Sequence, residues 1–192
     1  MNTRYLIWVF VAIVAGVIIF ANARMQFKSA KNEPEKQYIE EASITVTAPS
    51  LEKKTINENQ IKENQKNLVE YVAVYGVFYK KIEYSVIYTL YKNEININDA
   101  LQSITNLFTD KSFKYDTSEE SENDDEKIKI SGTFDINGKQ FGMEAVLIKR
   151  ALNFWQVIAV YPYSEKNKEL SKNYVNSAVI DEIISHKAEK KQ

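Results

Sequence analysis

The chain has one histidine, no cysteine and five glycines in 192 residues, so the side chains able to do chemistry are few. A general base, a Ser–His–Asp triad or an imidazole-based metal site would have to use His186. That residue stands in the lysine-rich end SHKAEKKQ, where no apolar pattern builds a pocket around it, so an exposed bystander is expected. The missing cysteines exclude disulfides, thiolate metal sites, a cysteine nucleophile and a lipid-modified cysteine. Neither G-x-x-x-x-G-K nor G-x-G-x-x-G occurs, so no glycine-rich phosphate loop is present. Carboxylates remain. Glu70, Glu83 and Glu144 could serve a hydrolase or isomerase if two of them met in one cleft with their pKa values pushed apart.

The stretch holding Asp116, Glu119, Glu120, Glu122, Asp124, Asp125 and Glu126 could gather a hard cation such as calcium, which takes several oxygens. It lacks the D-x-D-x-D-G spacing and turn glycine that pre-shape such a loop, so a solvated acidic loop is expected instead. Tyr71, Tyr75, Tyr79, Tyr84, Tyr88 and Tyr91 could line a binding face, since tyrosine is enriched at interfaces. Tyr71, Tyr75 and Tyr79 are the candidates for such a face, although alternate members of the series must point into the core. Trp155, in an apolar run, is expected to anchor the interior rather than to stack on a ligand. The formal net charge of -1 sends no basic field toward nucleic acid. No cofactor is expected.

These groups must be positioned by the elements between them. SITVTAP is a β-branched strand stopped by Pro49. SLEKKTINENQIKENQKN is polar and fits a helix or a loop. In LVEYVAVYGVFYKKIEYSVIYTLYK the residues Ile82, Tyr84, Val86, Tyr88 and Leu90 alternate onto one face, the period of a half-buried strand. Two antiparallel strands turning at Lys80–Lys81 are expected, with a helix through Leu68, Val72, Tyr75 and Tyr79 as the alternative. Asn98 and Asp99 form an N-cap region for a helix whose apolar stripe is Leu101, Ile104 and Phe108. KIKISGTFDINGKQFGMEAVLIKR is a hairpin, because both positions of Asn137–Gly138 tolerate positive φ. NFWQVIAVYP is a central strand ended by Pro162. SEKNKELSKNYVNSAVI begins a helix capped by Ser164, with Leu170, Tyr174 and Val175 facing inward.

The start of the chain bears on location. Tyr5 to Ala21, through Trp8 and Gly16, is about 17 residues without a charge, or ~26 Å as a helix, at the short end of a bilayer span. Tyr5 and Trp8 suit the interface. Arg4 in front and Ala21-Asn22-Ala23 behind also fit a signal peptide cleaved after Ala23. One retained transmembrane helix at 1–24 is the expectation, followed by a linker at 25–42, a domain at 43–184 and a charged tail at 185–192. Arg4 lies on one side and Arg24, Lys28 and Lys31 on the other, so the positive-inside rule leaves orientation open. The signal-like layout favours export of the C-terminal part.

The expected fold is α+β, an antiparallel sheet with helices packed on it. The early ITVTAP strand, YSVIYTLYK leading into a helix, the ISG…F…NG hairpin and the closing FWQVIAVYP…YVNSAVI together resemble the PsbP-like superfamily, over roughly Ile44 to Asp181. The resemblance implies an α/β/α sandwich of the kind found in exported bacterial proteins. The photosystem and Ran-binding branches of that superfamily use binding residues with no counterpart here. A cone-shaped α+β fold like the periplasmic domains of secretion-system proteins is the runner-up. The functional expectation is a membrane-tethered accessory or binding domain of the cell envelope without catalysis and with a protein partner. A small-ligand or calcium carrier is the alternative.

Overall fold

The computed structural model describes residues 29–54, 68–107, 112–122 and 125–181. The Tyr5–Ala21 run, the 55–67 stretch and His186 lie outside the described residues. Among the described residues no helix is long and apolar enough to cross a membrane.

The main body is an antiparallel sheet in the order β3-β4-β5-β9-β8-β7-β6. Its strands are β3 (Glu52–Lys54), β4 (Val69–Tyr79), β5 (Ile82–Tyr91), β6 (Lys114–Glu122), β7 (Asp125–Ile136), β8 (Lys139–Arg150) and β9 (Asn153–Pro162). Helix α1 (Ile97–Leu107) packs on β7 and β8, and helix α2 (Glu165–Asn176) packs on β8 and β9. The alternation along β8 shows that they take opposite faces. Met143, Ala145 and Leu147 join Ile97, Ala100 and Ile104 of α1 in one core. Val146 and Ile148 join Tyr174 and Val175 of α2 in the other. Beside α2 a small sheet, β1-β2-β10, made of Glu35–Ile39, Ile44–Ala48 and Val179–Ile180, closes the second core. The α+β expectation is met, with most of the described chain in strands.

The turns explain the register. Asn137 and Gly138 take φ of 51° and 74° between β7 and β8, the conformation their side chains permit. Lys80 and Lys81 do the same at 47° and 70°. Neither lysine is a favoured turn residue, so the extended pairing from Val69↔Tyr91 to Tyr79↔Ile82 fixes this turn. β5 is buried on both faces rather than one, because it lies inside a sheet covered on both sides.

Three expectations change. The acidic segment is not a solvated loop: Lys114–Glu122 is the edge strand β6, paired with β7 from Lys114↔Thr133 to Glu122↔Asp125. Its described side chains are exposed, and Glu120 pairs with Lys129 at 2.9 Å. Backbone pairing with an already buried neighbour outweighs the missing apolar side chains, and charge on an edge strand guards against further pairing. The stretch expected as a linker contains β1, paired with β2 from Glu35↔Ala48 to Ile39↔Ile44, and a 3₁₀ turn at Glu40–Ala42. Ser29 also bridges to Phe78. The first helix begins earlier than Asn98–Asp99 suggested, with its cap two residues before Asn98: the Asn96 side chain accepts from the Asn98 amide at 2.9 Å. The last helix matches its expected cap, with Ser164 Oγ accepting from the Asn167 amide at 3.2 Å.

One interior residue breaks a packing rule. Gln156 is fully buried between Ile87 of β5 and Leu147 of β8, and neither amide atom has a hydrogen-bond partner. Unpaired buried polar groups cost about 1–3 kcal/mol. Gln156→Met, which keeps the volume, should therefore stabilise the domain by about 1–3 kcal/mol, read as a rise in the denaturation midpoint. A fall would mean that the amide finds a partner in solution.

Candidate functional site

Of the three candidate acids, Glu70 is exposed on β4. Glu83 stands opposite Val160, which packs in the α1 core. Glu144 stands opposite Ala159, which packs in the α2 core. Directly opposed residues share a face in an antiparallel pair, so Glu83 and Glu144 lie on opposite sides of the sheet and cannot share a cleft.

Glu83 is 9% exposed, and burial pushes its carboxyl up to about 7. In the unfolded chain it titrates near the ordinary carboxyl value of 4.5. The folded protein therefore binds the extra proton between those two values, and stability falls as pH rises through that window. Glu83→Gln should abolish the slope and be more stable than the parent above pH 7 by roughly 3 kcal/mol. Chemical denaturation at pH 5 and pH 8 checks this. A parent equally stable at both values would show that the carboxylate is solvated.

The tyrosines split. Tyr71 is 37% exposed, whereas Tyr75 and Tyr79 are buried. The Tyr71 and Tyr75 hydroxyls donate to Glu41 at 2.7 and 2.8 Å, and Lys53 pairs with the same carboxylate at 2.6 Å. Lys53 foremost, then the two hydroxyls, hold Glu41 down at about 2. These tyrosines therefore clamp the 3₁₀ turn to the main sheet. Trp155 is fully buried, and its indole nitrogen donates to the Ala42 carbonyl at 2.6 Å, as expected of an interior anchor.

Of the acidic residues that might have gathered calcium, Asp124 lies outside the described residues and the others are spread along β6 and β7. Asp125 pairs with Arg150 and Glu126 with Lys149. Among the described residues no group of three metal-ligating side chains comes together.

The place where polar groups converge is the α2 face of the sheet. Helix α2 covers β8 and β9 but leaves β6 and β7 open beside it. The resulting groove has two adjoining hollows that share Asp116 and Ser131. One is about 240 Å³, bounded by Lys114, Tyr161, Tyr163 and Lys168. The other is about 330 Å³, bounded by Lys129, Glu144, Lys172 and Asn176. Glu144 is on its floor, 4% exposed. Its carboxylate accepts from Ser131 Oγ at 2.8 Å and from Tyr161 Oη at 3.0 Å. Burial raises the Glu144 pKa, and the two hydroxyls with Lys172 and Lys168 oppose that rise. Burial, reinforced by the Glu144 charge, pushes the Tyr161 hydroxyl well up, so it stays a donor.

The local sequence makes this arrangement possible. Gly142 lies opposite Tyr161, and a Cβ on it would come within 2.3 Å of the Tyr161 ring. The bare glycine lets the ring lie flat along the strand, with its hydroxyl reaching Glu144. Of these groups the sequence pointed only to Glu144. Ser131 and Tyr161 are 13 and 17 residues from it and become neighbours through strand register. The available signal was a glutamate and a glycine inside the otherwise apolar strand FGMEAVLI.

No family model and no curated protein matches the chain. Among solved structures it is similar to LpqN of Mycobacterium tuberculosis, involved in cell envelope biogenesis, at 13% identity over 79% of this chain and 90% of that one, with a TM-score of 0.45. It is also similar to PA94 of Pseudomonas aeruginosa, a protein of unknown function, at 8% identity over 73% of this chain and 90% of that one, with a TM-score of 0.40. At TM-scores this low neither likeness identifies what the groove binds.

Proposed function

We propose that this is a non-catalytic binding domain of the cell envelope, tethered to the membrane by the Tyr5–Ala21 segment, which receives its partner in the groove between α2 and strands β6 and β7. The observation that carries the reading is the Ser131–Glu144–Tyr161 network on the groove floor. It holds a buried carboxylate rigidly at the base of an open polar hollow, as binding sites do with a few fixed polar groups. The export-like layout of the first residues supports the envelope location. The order of strands and helices supports a PsbP-like α/β/α arrangement. The separation of Glu83 from Glu144 supports a binding role over acid–base catalysis, and the pairing of the acidic strand with lysine and arginine tells against calcium carriage.

The test uses the intact protein in its own cells. A photo-crosslinking residue at Ser118, inside the groove, is compared with one at Lys36, exposed on the small sheet. The expected result is a discrete adduct from Ser118 alone, in protein that stays with membranes after alkaline washing. Equal adducts from both positions would overturn the groove assignment. A soluble mature chain beginning at Arg24 would overturn the tether.

A further inference from the structure

We propose that the ligand of this groove is a hydroxyl-bearing anion, the chemistry of an acidic saccharide or a polyol phosphate, oriented by the free oxygen of Glu144. The assignment rests on the groove being the binding surface. Both donors to Glu144, the hydroxyls of Ser131 and Tyr161, converge on the single oxygen Oε1. Oε2 receives no hydrogen bond, yet the residue is 4% exposed and borders the larger hollow. Unlike the amide of Gln156, Oε2 is not closed off from solvent, so a ligand entering the hollow reaches it, and a hydroxyl is a donor that a carboxylate oxygen takes.

The rim sets the charge. Among the described residues Lys114 of β6 and Lys168 and Lys172 of α2 enter no ion pair. Lys129, by contrast, is held by Glu120. Three cations outside ion pairs face the two carboxylates Asp116 and Glu144, a balance that stays positive and favours a ligand with negative charge. The floor narrows the class further. An anion without hydroxyl groups would present only acceptors to Oε2 and be repelled, and a neutral polyol would leave the lysines unused. An ammonium group could serve Oε2, but the same three lysines repel it. Tyr163, 37% exposed at the end of the smaller hollow, offers a ring face beside the path of a saccharide.

Calorimetric titration of the full chain in detergent micelles decides this with five probes: trigalacturonate, a glycerol-phosphate trimer, maltotriose, tripolyphosphate and triglycine. The two hydroxylated anions should bind at least tenfold more tightly than the other three, and which of the two is stronger separates a carboxylate source from a phosphate source. Lys168→Glu with Lys172→Glu should weaken that binding more than tenfold. Glu144→Gln, which keeps the acceptor for Ser131 and Tyr161 but places an amide donor at the Oε2 position, should weaken it about tenfold. The lysine variants alter side chains at the rim of the groove, so the test survives even if Glu144→Gln fails to fold. Equal binding of tripolyphosphate, equal binding of maltotriose, or preference for triglycine would each overturn the assignment. No binding by any probe, with the Ser118 adduct intact, would overturn the ligand class alone. Loss of that adduct specificity would remove the groove reading beneath it.

Discussion

Trp155→Ala should destabilise the domain by about 3–5 kcal/mol, the usual range for deleting a buried large aromatic side chain. Trp155 is fully buried on β9, at the middle of the main sheet. Its ring lies 5.5 Å from that of Tyr88. Its indole nitrogen donates to the carbonyl of Ala42, in the 3₁₀ turn that leads into β2. The alanine variant loses the packing and leaves that carbonyl without its donor, so the two penalties act together. Trp155→Phe should keep part of the packing, lose the hydrogen bond and leave a smaller void, at a cost of about 2–3 kcal/mol. Denaturant midpoints of the two variants separate the contributions. A loss under about 1 kcal/mol for the alanine variant would show that the small sheet is not seated on Trp155.

Asp125→Ala should cost about 2–4 kcal/mol. The Arg150 guanidinium grips Asp125 in a two-pronged pair, Nε to Oδ1 at 2.6 Å and Nη2 to Oδ2 at 2.9 Å. The Asp125 side chain is 6% exposed and that of Arg150 25%. Removing the acid leaves a largely enclosed cation, which is costlier than the pair was worth. The partial exposure of Arg150 keeps the figure below the fully buried range. The double variant Asp125→Ala with Arg150→Ala should therefore recover part of the loss. Equilibrium unfolding of the three proteins gives the coupling directly. A single-variant loss no larger than that of an exposed ion pair would place β6 and the start of β7 in water, as the acidic composition alone suggested.

That composition shows where the sequence was silent. KYDTSEESE carries one tyrosine and no aliphatic residue, so no periodicity marks it as a strand. It forms one because β7 offers an unpaired backbone edge, a property of the neighbour and not of the segment. The EKQYI strand was hidden for the same reason: four of its five residues are exposed or half-buried, and only β2 holds it. Elements that carry their own signal were legible. The alternation from Ile82 to Leu90, the Asn137–Gly138 turn, the Ser164 cap and the apolar run around Trp155 each depend on residues close together in the chain. The site was legible only in part. Glu144 is conspicuous in an apolar strand, but its partners come from β7 and β9 through register, which is fixed by turns and pairings many residues away. The face on which each acid lies follows from that same register, so the sequence could not tell that Glu83 and Glu144 never meet.

A partner in the groove beside α2 must shield the backbone that borders it. Amide hydrogen exchange, followed by mass spectrometry on the full chain in its native membranes and on the same chain after purification in detergent, tests it most directly. Added protection in the membranes is expected only at Lys114–Glu120 and Lys168–Asn176, which border the two hollows. Unchanged exchange there, or protection centred on β1 and β3 instead, would contradict it.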